Sequence, residues 1–499
     1  MKRTTLSLIA CATALAAVTG FAAVSAPDGS GTDTAAPAAR LPVERTSLLC
    51  PAPSTSDLAE TAYTSFTPVT KGADEKGDAQ LTTAETAADG GKDEKDDKDD
   101  KDEKPVVQPK APGTPAAGET TGADTPALIG TAEGGTAPGW TVQQTTEVAA
   151  GTGRGLQGVN CTAPDTEFWF PGASTATGRT DYVHLTNPDD SAAVVDIELY
   201  GKDGALKSTV GEGVTVPPHT SESLLLSTLS EVKETDLTVH VGVRSGRVGA
   251  AVQALDDKTG GDWLTAAADP ASELVLPGIP KDATAVRLVL FTPGGTDADL
   301  KVRLASPSGL ITPAGHETVH VKAGMTTGVD LGEVTRGEAG SLVLTPTDGA
   351  VPVVAAVRVV RGKGDEQESA FVPASDPVGA RATVADNRAK STTLALSAPG
   401  EAAKVKATAS AGTEGGAPAT KTYTIKAGTT QNVDAPVPAG LKGSYALTVE
   451  TVSGGPVHAS RILTGSDDDV AAFTVQTLPD DRGMVSVPNA DEDLKVLQK

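Results

Sequence analysis

Beyond residue 165 the chain runs through short stretches of alternating apolar and polar residues that recur in a fixed order. Val195, Ile197 and Leu199 alternate, and Leu300, Val302 and Leu304 do so at the same offsets from Pro188 and Pro293. Alternation at period two puts every second side chain on one face, which is the mark of a half-buried strand. Pairs of the same spacing follow: Val214 with Val216, Val319 with Val321, and Tyr423 with Ile425, each ahead of a turn, PPHTSE, KAGMTT or KAGTTQ. Leu237 with Val239, Leu342 with Leu344, and Tyr445 with Leu447 supply the next strand. The copies close on a glycine turn and a small-residue strand, GRVGAAVQAL, GAVPVVAAVRVV and GGPVHASRIL. Pro188 to Val216 and Pro293 to Val321 span 28 residues each, and the third copy is shorter by two. Matching offsets in several motifs define an internal repeat of about 104 residues.

Six or seven short strands per copy, with frequent turn signals, predict an all-β chain of tandem immunoglobulin-like or fibronectin-like sandwiches. The expected bounds are 168–272, 273–370 and 371–480, followed by a C-terminal tail, 481–499. Each copy is expected to open on a strand terminated by Pro-Gly: FWFPG in the first, ELVLPG from Glu273 to Gly278 in the second, and Phe371-Val372-Pro373 standing in the same place in the third.

Upstream, apolar pieces of strand size lie at Arg45 to Cys50, Thr61 to Val69, Trp140 to Val148 and Leu156 to Cys161. They predict a small β region built from 26–70 and 131–167. Between them, 71–130 loses apolar periodicity around KDEKDDKDDKDEK, Lys92 to Lys104, with Lys at every third position. Such a run cannot supply a core, so 71–130 is expected to be a disordered acidic insert. Calcium binding there is disfavoured, because the interleaved Lys neutralise the acids and no loop glycine organises them.

Composition narrows the functional classes. A formal charge of -24 opposes binding to phosphate backbones, so nucleic acid is set aside. The first residues, with Lys2 and Arg3 ahead of an apolar run from Leu6 to Val24, read as a secretory signal over 1–25. An uncleaved anchor, which would bring membrane contact, and a lipoprotein box at Cys11 are the competing readings. Removal of the signal leaves Cys50 and Cys161, in the similar settings SLLCPAP and GVNCTAP. Two thiols in an oxidising compartment are expected to pair; two free buried thiols are the alternative.

Chemistry is sparse. The six His are dispersed, and no HExxH, CxxC or GxSxG occurs. His316 and His320 are four apart, but in a strand-and-turn context that spacing does not put both on one face. Asp297, Asp299 and Asp467 to Asp469 sit in turn sequences, where acids are ordinary. No catalytic, cofactor-binding or metal-binding residue is therefore assigned. What stands out is aromatic: three of only fifteen Phe, Trp and Tyr residues are consecutive at 168–170, and Trp263 lies among Asp256, Asp257 and Asp262. Trp169 and Trp263 are candidate ligand platforms for a carbohydrate, or else interdomain packing residues. If Phe168 and Phe170 face a core, Trp169 faces away from it.

The order SLLCPAPS, acidic insert, CTAPDTEFWFPGAS, YVHLTNPD and GDWL resembles the secreted actinobacterial proteins of domain of unknown function 5719, over the chain beyond the signal apart from the insert. The resemblance implies an exported location but no activity. The resemblance also implies a gene placed near that of a large membrane glycosyltransferase, a hint toward envelope glycopolymer assembly that assigns no residue a role. The expected role is an exported, non-catalytic structural or accessory module at the bacterial cell envelope, its partner an envelope protein or glycopolymer. A glycan-binding module or assembly factor is the alternative, and an enzyme comes third.

Overall fold

The structure, a computed structural model, describes residues 39–86, 104–208, 210–465 and 472–487. The signal at 1–25, nearly all of the Lys92–Lys104 run and Asp467 to Asp469 lie outside the described residues. Ala39–Pro42 pairs with Met484–Val487 in a two-stranded sheet, so the expected tail at 481–499 opens with a strand. All other described strands lie in a compact unit, Pro42–Val485.

That unit is all-β and consists of four two-sheet sandwiches, here I to IV. In sandwich II, Glu167–Ala173, Leu237–Ser245 and Ala193–Gly201 lie side by side in one sheet, extended by the hairpin strand Gly204–Leu206. The other sheet orders Gly260–Leu264, Gly249–Asp256, Arg179–Thr186 and Thr220–Leu225. Sandwiches III and IV repeat this order strand for strand, starting at Leu274 and Ala382. The alternating triplets fill the interiors: Val195, Ile197 and Leu199 in II, Leu300, Val302 and Leu304 in III. Relative to an immunoglobulin domain the terminal strands exchange sheets, the first lying beside the sixth and the seventh beside the second.

Sandwich I has the same order. Arg45–Cys50, Leu128–Gly134 and Gly77–Thr83 form one sheet, and Ala116–Thr121, Ala59–Phe66, Thr141–Val148 and Gly155–Asn160 the other. The N-terminal region is thus a fourth copy; its strands Gly77–Thr83 and Ala116–Thr121 lie within the 71–130 segment expected to be disordered, and Leu128–Gly134 begins in it. The correction has a physical reason. These strands are rich in Gly, Ala and Thr, and their contribution to the core is slight, Ala79 and Leu81 from one and Leu128 and Ala132 from another. Short β segments of small residues carry little apolar periodicity.

Two further expectations are corrected. Pro-Gly does not end the leading strand: Glu167–Ala173 runs through Pro171 and Gly172 with a register shift, and Leu274–Ile279 does the same at Pro277 and Gly278. Such a bulge uses glycine at positive φ, +114° at Gly172 and +93° at Gly278. Phe371-Val372-Pro373 is not the leading strand of sandwich IV. Glu368–Pro373 pairs with Val354–Arg361 as the last strand of III, where Gly260–Leu264 stands in II. The leading strand of IV is Ala382–Asn387, shifted in register between Val384 and Asn387, so the boundary falls after residue 373.

The four sandwiches form a closed circuit. Their last strands, Gly155–Asn160, Gly260–Leu264, Glu368–Pro373 and Phe473–Thr477, each pack on the next, and the fourth packs back on the first. The leading strand of each sandwich likewise packs on the next-to-last strand of the following one, Ala382–Asn387 of IV against Thr141–Val148 of I included. A Cβ at Gly158 would collide with Gln476 and Thr474, so this close approach of I to IV requires glycine. Cys50, at the end of the leading strand of I, is bonded to Cys161, just past its last strand. That disulfide clasps the two ends of one sandwich.

Candidate functional site

Both candidate tryptophans lie at joints of this circuit. Phe168 and Phe170 enter the core of sandwich II, and Trp169 points the other way, as alternation requires. The outward side is covered by sandwich III, leaving Trp169 6% exposed. Its indole stacks on His240 at 3.9 Å and on Phe291 of III at 5.4 Å, and its Nε1 donates to Glu167 Oε1 at 2.9 Å. Trp263 is 2% exposed, packed on Val159 of sandwich I and on Ala251. His184 meets its edge at 5.1 Å and is hydrogen-bonded to Ser223 Oγ at 2.9 Å. Burial lowers the His184 pKa to about 4. Neither indole offers the free face that sugar stacking requires, so neither forms a carbohydrate platform in this arrangement. Large aromatics bury much area with few rotatable bonds and suit such joints.

The acids beside Trp263 separate. Asp257 accepts from Thr152 Oγ1 at 3.2 Å, and Asp256 pairs with Arg358 of III at 2.8 Å. Asp262 enters the axis, where the four last strands meet. Its Oδ1 accepts from the Gly158 amide of I at 3.1 Å and from Thr474 Oγ1 of IV at 3.0 Å, and the backbone amides of Trp263 and Phe371, the latter in III, also favour its charged form. One side chain therefore touches all four sandwiches. Burial drives its pKa well above the ordinary carboxylate range, against the downward pull of those hydrogen bonds. Nearby, Glu368 Oε2 accepts from the Phe473 amide at 3.1 Å, and burial raises its pKa to about 7.

The joint between IV and I is more polar. Phe66, Ala385 and Ala446 form a small apolar contact there. Around it, Arg388 pairs with Glu147 at 2.8 Å, Arg381 Nη1 donates to Thr70 Oγ1 at 2.9 Å, and Thr64 Oγ1 meets Ser444 Oγ at 3.4 Å. Arg461, fully buried, donates to the Asp386 carbonyl at 2.7 Å and to Gln476 Oε1 at 2.9 Å. Glu368 and Arg461 escaped sequence reasoning because each sits in an ordinary strand, where nothing local marks a polar residue that a neighbouring element will cover.

His316 and His320 do not converge. His320 lies between Asp299, at 2.9 Å, and Asp297, at 3.4 Å, with all three side chains about half exposed. Among the described residues no cluster of three His, Cys, Asp or Glu is arranged to hold a metal, and no helix is long and apolar enough to cross a membrane.

No curated protein matches the chain. Among solved structures, the crystal structure of the pilus adhesin SpaC from Lactobacillus rhamnosus GG, in an open conformation, aligns at 8% identity with a TM-score of 0.11, over 88% of this chain and 57% of that one. The chain thus spans little more than half of the adhesin, and a likeness this slight carries no argument. Residues 116–436, from the Ala116–Thr121 strand of sandwich I into sandwich IV, match a family of unknown function, DUF5719, over more than half of the chain, and the chain belongs to that family.

Proposed function

We propose that the protein is an extracytoplasmic, non-catalytic structural or accessory module of the bacterial cell envelope. The observation that carries this reading is where the conspicuous side chains go: Trp169, Trp263 and Asp262 are all used in joints between sandwiches. Groups so placed hold a shape and are withheld from a substrate. The Cys50–Cys161 disulfide supports an oxidising compartment, and the acidic charge suits a soluble domain there.

The test combines localisation with titration. Protease added to intact protoplasts should digest the chain with its disulfide oxidised, and envelope polysaccharides should leave its tryptophan fluorescence unchanged. A saturable fluorescence change in the folded protein would replace this reading with the glycan-binding module, and a reduced, protected chain would place it in the cytoplasm.

A further inference from the structure

A cleft of about 620 Å³ opens at one end of sandwich III. Leu304, Ile311, Leu331 and Val334 line its apolar part, and Ser308, Arg336 and Glu338 its polar part. The other copies explain why it is open. In II, eleven residues join Thr220–Leu225 to Leu237–Ser245; they include the helical turn Leu226–Leu229, whose two leucines are buried in the core. In IV the connection has ten residues and includes a strand, Ala439–Lys442, which pairs with the hairpin strand Gly415–Ala417 while Leu441 packs against the core. In III only the seven residues 333–339 span the same gap, with no strand among them.

The hairpin strand of III, Gly309–Ile311, therefore keeps the edge that its counterpart in IV has paired. Ser306 and Gly309 close the two-residue turn and bond each other, so the Leu310 N–H and C=O point outward. Leu310 and Ile311 are 38% and 46% exposed. An open edge beside an apolar cleft is a template for strand addition, in which main-chain hydrogen bonds give affinity and side-chain pockets give specificity. No Phe, Tyr or Trp lines the cleft and His316 supplies the one ring in the lining, so the usual stacking surface for a sugar is missing. Glu333 and Glu338 lie in the lining with Arg336, an acidic balance that matches Lys442 beside Leu441 in the intramolecular example.

We propose that the cleft of sandwich III binds an extended peptide segment of a partner protein, which adds a strand to Gly309–Ile311 and inserts an aliphatic side chain followed by a basic one. This goes beyond the accessory reading by naming the chemistry of a partner, and it can fail while that reading stands.

The test titrates the full-length protein into a fluorescent peptide of sequence APVPAGLKGS, residues 435–444, and follows anisotropy into the millimolar range. Saturable binding is expected, weakened at least tenfold by Leu310→Pro, by the cleft-filling Thr335→Trp, and by Leu441→Asp in the peptide. A photoreactive version of the peptide should label 309–316 or 333–338 in the unsubstituted protein, so the result does not depend on either variant folding. Absence of saturable binding, equal binding of the Asp peptide, or labelling elsewhere would overturn the proposal.

Discussion

Asp262 Oδ1 lies 3.1 Å from the amide nitrogen of Gly158, 104 residues earlier, and joins the last strands of two different sandwiches. With Thr474 and Phe371 it links four sandwiches through one carboxyl group. Replacing it with an apolar residue of similar size would leave those buried donors without an acceptor, at about 1–3 kcal/mol each. Asp262→Leu should therefore destabilise the protein by roughly 3 kcal/mol or more in urea unfolding, and Asp262→Asn, which retains one acceptor, by less. Equal stability of Asp262→Leu and wild type would mean that the axis is not assembled as described.

Two buried groups act on pH stability with opposite signs. Glu368 titrates near 7 in the fold against an ordinary 4.5, so its contribution is complete below pH 4.5 and is lost as pH rises toward 7. His184 titrates near 4 against 6.5, so its contribution is present above pH 6.5 and is lost as pH falls toward 4. Glu368→Gln removes the first effect and keeps an acceptor for the Phe473 amide. Between pH 4.5 and 6.5 the variant should gain stability with rising pH more steeply than wild type, as read from urea midpoints. Parallel profiles would count against a buried Glu368.

Trp169→Ala should cost about 3–5 kcal/mol, the range for truncating a buried large aromatic, because Phe291 and His240 lose their shared partner. A surface indole would cost far less, so a change under about 1 kcal/mol would return Trp169 to the solvent.

Reducing Cys50–Cys161 frees a loop of 111 residues. Chain entropy assigns a cross-link of this length about 4.7 kcal/mol. Hydrogen exchange after reduction should rise first in the strands of sandwich I, with III least affected. Uniform loss of protection across all four sandwiches would contradict the placement of the clasp.

The repeat was legible because its signals are local. Val195, Ile197 and Leu199 alternate wherever the neighbouring sandwiches lie, and their copies sit at fixed offsets from Pro188 and Pro293. Sandwich I was missed although Leu48-Leu49-Cys50-Pro51 stands where Phe168-Trp169-Phe170-Pro171 stands in II, since the strands after it are small-residue pieces interrupted by the acidic run. The shift of the third boundary has a similar origin: Val384-Ala385-Asp386 replaces the Pro-Gly bulge, with Asp386 supplying the positive φ of 52°, while a proline ends the preceding strand at Pro373. The joints were half legible. Alternation set Trp169 opposite Phe168 and Phe170, but which surface would cover it depends on how the copies pack, and no local pattern encodes that.

The central claim is that the circuit closes, with sandwich IV seated on sandwich I. Thr64 and Ser444 are 380 residues apart in sequence, and their hydroxyl oxygens are 3.4 Å apart across that joint. The direct measurement is peptide mapping of a Thr64→Cys, Ser444→Cys double variant after mild oxidation. The closed circuit predicts an intramolecular disulfide between positions 64 and 444 in a monomer that retains Cys50–Cys161; two alkylatable thiols, or a link formed only between separate chains, would contradict it.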